Sequence, residues 1–230
     1  MSKLTTGSEL IMDAAKKIGF AKQGSNNCTF ASIQNAIRIE TALRRPKIAH
    51  KLEYDKTFSE RFRKRLGINS KVGVHMGKIA EELKKEPIII DFGVCKVRLG
   101  NLIPIRKERA LYEQYIGNRR PLIVSMTYRR KTSSAINPRP LPPVWLPTKH
   151  NAVLCAILPD ELFEYRNNGG TLKDVSTGLC LWFDSSSKTS YKGYPDGLKA
   201  MPIEFLNYKG NLWLDGISSC YSPSFRILKK

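Results

Sequence analysis

The chain has 230 residues, 41% hydrophobic and 26% charged, a globular mixture that excludes a disordered or fibrous protein. Lys and Arg number 39 against 20 Asp and Glu, and the formal net charge of +19 favours a partner bearing phosphate, anionic lipid or acidic side chains. No apolar run approaches the length of a bilayer span, and Met1 to Gly7 lacks the basic-then-apolar order of a secretory signal. The expectation is therefore a soluble intracellular protein with no transmembrane segment, not a secreted one. The five cysteines, Cys28, Cys95, Cys155, Cys180 and Cys220, form no C-x-x-C pair and are odd in number, so they read as thiols in a reducing compartment: cytoplasm, nucleus or the inside of a virion.

In chain order, Leu10, Ile11, Ala14, Ala15 and Ile18 recur at helical spacing and predict a helix over Ser8 to Ile18, with Gly19 as its stop. A polar, turn-rich segment, Phe20 to Asn27, leads into Cys28 to Leu43, where small and apolar residues occupy most of the helical surface. That pattern predicts a largely buried helix, with Ser25, Asn26 or Asn27 available to cap it and Cys28 on its first turn. Arg44 to Arg65 holds nine basic and three acidic residues and few apolar ones, and reads as an exposed stretch. A further helix is predicted over Val74 to Lys85, ended by Pro87, and Pro87 to Phe92 opens a β-prone half.

Arg120 to Tyr128 predicts a buried strand. Six of the thirteen prolines fall between Pro121 and Pro147, so Ala135 to Thr148 is expected to be an extended loop. Strands are predicted at Asn151 to Leu158, Gly178 to Asp184 and Asn211 to Ile217, with turns at Asn167 to Gly170 and Ser185 to Lys188. Helices first and strands later imply an α+β fold, the two parts meeting along one groove.

A nucleophilic cysteine needs a lowered pKa, which a helix N-terminus and a nearby imidazolium supply. Cys28 has the first by position. Of the three histidines, His50 lies in the basic stretch and His75 near a helix start, whereas His150 directly precedes a strand that would hold its ring rigidly at a cleft. Asp184, at the end of the next predicted strand, is placed to orient that ring. Cys155 and Cys180, inside apolar strands, read as core. Neither metal-ligand spacing nor a phosphate-binding glycine loop is present, so no cofactor or metal is expected.

Gln23-Gly-Ser-Asn-Asn-Cys28-Thr-Phe-Ala-Ser32 resembles the papain-like cysteine peptidases, in which a Gln-Gly pair precedes a cysteine that opens a central helix. His150-Asn-Ala-Val-Leu154 is similar to the family's His-Ala-Val block with one residue inserted, and Trp182-Phe-Asp-Ser-Ser186 stands where the family has Asn-Ser-Trp. Arg120-Pro-Leu-Ile-Val-Ser125 resembles the strand that enters the family's β-rich domain. Thr29 replaces the usual Trp, Asp184 the usual Asn, and Gln23 lies one residue nearer the cysteine than the family spacing.

The resemblance implies one papain-like unit: a helical part at 1–86 packed against an antiparallel β-rich part at 87–230, with a cleft between. It implies a Cys28–His150–Asp184 triad that hydrolyses peptide or isopeptide bonds in a polypeptide substrate, with Gln23, or else Asn26 or Asn27, helping the Cys28 backbone N–H hold the oxyanion. Acyl transfer to an amine on the same residues is a variant of that chemistry. The rival reading is a catalytically weak or inactive papain-like module, a basic structural subunit of a nucleoprotein assembly. Its motivation is the missing Trp after Cys28, the shifted Gln23 and the net charge of +19, much of it in two basic stretches, one containing Arg44, Arg45, Lys47, Arg61, Arg63, Lys64 and Arg65, the other Arg129, Arg130 and Lys131. These are candidate contacts to an acidic protein or to nucleic-acid phosphates, without sequence specificity.

Overall fold

The computed structural model describes residues 6–18, 27–47, 52–69, 71–106, 108–131, 145–166, 172–183, 198–202 and 214–228. Four helices come first: α1 (Thr6–Ile18), α2 (Cys28–Arg44), α3 (Phe58–Leu66) and α4 (Met76–Lys85). After them come β1 (Ile88–Asp91), β2 (Lys96–Ile105), α5 (Arg109–Gly117), β3 (Leu122–Lys131), β4 (Trp145–Arg166), β5 (Leu172–Phe183), β6 (Leu198–Pro202) and β7 (Leu214–Leu228). The strands form one antiparallel sheet in the order β1-β2-β7-β3-β4-β5-β6, so the fold is α+β. Among the described residues no helix is long and apolar enough to cross a membrane.

Helix α2 is the axis of the molecule. Every residue from Thr29 to Ala42 is buried, including Gln34, Arg38 and Glu40. An unpaired buried polar group costs about 1–3 kcal/mol, and the longest neutral polar side chain and the cationic side chain of this buried set, Gln34 and Arg38, are both paired. Gln34 supplies both halves of an amide pair to the Asp55 backbone, donating to its carbonyl at 2.9 Å and accepting from its N–H at 3.1 Å. Arg38 donates to the carbonyls of Ile18 at 2.8 Å and Leu52 at 2.9 Å, tying the end of α1 and the chain after α2 to the central helix. Helix α1 packs on α2, β4 and α5. Gly7 sits so close to the end of α5 that an added Cβ would stand 2.3 Å from the Ile116 carbonyl oxygen, leaving room for glycine alone.

Helix α3 corrects the expectation of an exposed basic stretch. Phe58 and Phe62, four residues apart, share one helical face and are fully buried against Phe30 of α2, and Leu52 is buried as well. The charges of α3 outnumber its apolar residues, so a buried face is concealed in a run that reads as solvated. Other boundaries moved by a few residues. Helix α4 begins at Met76, with His75 as its N-cap, and Trp145 to Thr148, expected in the extended loop, pair with Tyr128 to Lys131 as the start of β4. Strand β2, α5 and β6 were not expected. In β2 the alternation of Lys96, Val97, Arg98 and Leu99 is broken at Gly100, where the register with β7 shifts. The predicted turns at 167–170 and 185–188 lie outside the described residues, as does His50.

Candidate active site

Cys28 opens α2, where the first backbone N–H groups of a helix point outward unpaired and favour negative charge. Asn27 is the N-cap residue, but its side chain makes no capping bond. Its carboxamide oxygen instead accepts from the Arg63 guanidinium at 2.8 Å. That changes two expectations. Asn27 is held by α3 rather than capping the helix itself, the other cap candidates Ser25 and Asn26 lying outside the described residues, and Arg63 is a buried residue of the site, not an exposed cation, at 6% exposure. Arg63 also donates to the carbonyls of Asn69 and Val72, both at 2.8 Å, and lies 5.2 Å from the centre of the Phe30 ring. Burial lowers its pKa, and the charge of Cys28 opposes that shift.

Strand β4 brings His150 to the same sulfur. His150 pairs in register with Met126 of β3, is 8% exposed, and its side chain hydrogen-bonds Cys28. Burial pushes the Cys28 thiol upward. The His150 hydrogen bond and charge, with the backbone and side-chain N–H groups of Asn151, outweigh it and bring the thiol from 9.0 down to about 7. A cysteine near 7 is substantially thiolate at neutral pH. The core thiols behave oppositely: burial drives Cys155 and Cys220 up to about 12, as expected of inert packing residues.

Asn151 was not singled out in the sequence, and it is the hub of the site. Its amide nitrogen donates to the Thr29 hydroxyl at 2.8 Å and stands 3.8 Å from the Cys28 sulfur, while its carbonyl oxygen accepts from the hydroxyl of Ser125, its cross-strand partner on β3. Thr29 passes the bond on, donating to the Val74 carbonyl at 2.6 Å. A continuous chain of bonds therefore runs from β3 through β4 and the first turn of α2 to the segment before α4. The available signal was a carboxamide directly after His150 and a hydroxyl directly after Cys28, the two side chains that meet here.

The sulfur opens on a cavity of about 520 Å³. One wall is the segment Gly73 to Gly77, with His75; the other is built from Ser125, Asn151, Ser219 and Tyr221 of the sheet. Residues on both sides of position 87 thus line one space. Among the described residues, no group of three His, Cys, Asp or Glu side chains is placed to hold a metal ion.

Of the remaining predicted residues, Gln23, Asn26 and Asp184 lie outside the described residues; Phe183, the last described residue of β5, pairs with Val153 of β4. Arg44, Arg45, Lys47, Arg61, Lys64 and Arg65 are exposed or near the surface. Three of them are engaged: Arg44 with Glu40, Arg61 with Asp55, and Arg65 with Glu86 at 3.0 Å. Arg129, Arg130 and Lys131 end β3, opposite Pro147, Leu146 and Trp145. Cys180 belongs to β5, opposite Ile157. No protein-family model matches this sequence, and no curated protein matches it.

Proposed function

We propose that this chain is a papain-like cysteine peptidase, with Cys28 as nucleophile and His150 as general acid and base. The observation that carries this reading is the hydrogen bond between His150 and a thiol lowered to about 7, at the start of a helix and on the edge of an open cavity. Proton transfer from Cys28 to His150 yields a thiolate and an imidazolium. The thiolate attacks the substrate carbonyl carbon, forming a C–S bond and moving an electron pair onto oxygen. The Cys28 backbone N–H faces that oxygen, and the Asn27 carboxamide nitrogen, its oxygen held by Arg63, is the second donor. As the oxyanion collapses, the C–N bond breaks and His150 gives its proton to the departing amine. His150 then takes a proton from water, whose oxygen attacks the thioester, and the carboxylate product leaves with the C–S bond broken and the thiol restored. Asp184 orients the imidazole in this scheme, as the resemblance implies.

Hydrolysis of a fluorogenic peptide or isopeptide mixture tests the reading together with thiol alkylation. Cys28→Ala and His150→Ala are expected to abolish turnover to a similar degree, by about three orders of magnitude or more, because the pair acts as a unit. Rapid alkylation at neutral pH should be lost in both. Alkylation of Cys28 that is as slow as that of a free thiol, and unaffected by His150→Ala, would rule out the pair.

A further inference from the structure

The outer face of the β2–β7 ladder carries a basic hollow remote in chemistry from the cysteine site. Arg98 and Arg226 are paired directly across the ladder and both are exposed. Like charges directly opposite each other on neighbouring strands destabilise a sheet, so this arrangement costs the fold something. Among the described residues no acid neutralises the two. Glu86 pairs with Arg65, the Asp91 carboxylate accepts from the Gly93 N–H at 2.9 Å, and among the described residues neither arginine takes part in an ion pair. The bulge at Gly100 removes a side chain from the floor, and a hollow of about 460 Å³ opens over it, bounded by Arg98, Arg226, Ser224 and Leu228.

We propose that this hollow is a docking site for the phosphodiester backbone of nucleic acid. Each guanidinium fork matches the paired oxygens of one phosphate, so the two side by side engage two phosphates of one backbone, and the Ser224 hydroxyl adds a further donor at the rim. A repeating polyanion suits the whole molecule as well as the hollow, since a net charge of +19 attracts a ligand whose charge continues beyond one site. An acidic polypeptide presents its carboxylates on flexible stems at irregular spacing and gains less from a fixed pair of forks. Binding through phosphate alone reads no bases, so it is independent of sequence and strongly dependent on salt.

The test is fluorescence anisotropy of a short, mixed-sequence, labelled oligonucleotide titrated with the full chain at several salt concentrations. Arg98→Gln combined with Arg226→Gln is expected to weaken binding by about tenfold or more and to reduce the log–log salt slope by about 2, one for each phosphate that is no longer neutralised. Lys78→Gln combined with Lys84→Gln removes the same charge from exposed positions of α4 and is expected to leave affinity within about twofold. The arginine variant should melt at the same temperature as the parent or higher, because a like-charge pair has been relieved. Equal weakening by the two double variants would overturn the site. Competition by polyglutamate as effective as by unlabelled oligonucleotide would overturn the choice of nucleic acid.

Discussion

At Cys28 two opposing effects act on one sulfur: burial favours the neutral thiol, while His150 and the two N–H groups of Asn151 favour the thiolate. Because the second set prevails, removing part of it moves the titration upward. Asn151→Ala is expected to raise the midpoint of the alkylation–pH profile from about 7 part of the way to 9.0, since His150 and the Asn151 backbone N–H remain. Asn151→Asp should raise it further by setting a carboxylate beside the sulfur. An unchanged midpoint in both variants would show that the carboxamide does not tune the thiol. Asn151 and Thr29 are also where the residues themselves were least informative. An asparagine after a histidine and a threonine after a cysteine are individually ordinary polar residues, and their meaning comes from facing each other across 122 positions of chain.

Among the elements, α3 shows how local pattern can mislead. Its sequence is dominated by charge, yet Phe58 and Phe62 meet at 4.9 Å edge to face and enclose Phe30, two residues beyond the nucleophile. The same helix supplies Arg63, which braces Asn27 and the segment leading to the cavity wall. Helix α3 is therefore as much a part of the site's support as α2. Phe62→Ala is expected to cost about 3–5 kcal/mol, the usual consequence of emptying a fully buried aromatic site. Urea denaturation monitored by circular dichroism measures it, and a loss below about 1 kcal/mol, typical of a surface change, would mean that α3 is not anchored through this cluster. The periodicity of α1, α2 and α4, by contrast, was legible because their apolar residues repeat over several turns. Strand β2 was not, because its alternation lasts four residues before the bulge at Gly100 interrupts it.

For the molecule as a whole, the cysteines link pH to stability in two directions. Cys28 titrates lower in the folded chain than in the unfolded one, so its contribution is complete above about pH 9 and is lost as pH falls through about 7. Cys155 and Cys220 titrate near 12 when folded and near 9.0 when unfolded, so from about pH 9 upward the unfolded chain sheds protons that the folded chain keeps, and stability declines. Thermal midpoints followed across this range should therefore fall on the alkaline side. The advantage of the parent over Cys28→Ser should grow between about pH 7 and pH 9. A constant difference between the two proteins over that window would mean that folding does not perturb the thiol.

What the amino-acid sequence determined alone is local: the helices whose apolar residues repeat, the placement of Cys28 at the start of the buried one, the strand that follows His150, and the surplus of positive charge. These follow from short-range propensity, capping and periodicity, which are written within a few residues of one another. Tertiary structure decided the rest. It set β7 between β2 and β3, turned Arg63 inward, made Asn151 the hub of the cysteine site and laid Arg98 beside Arg226. Each of these depends on which distant segments pair and in what register, and that is settled by burying the common core rather than by any stretch of sequence read separately.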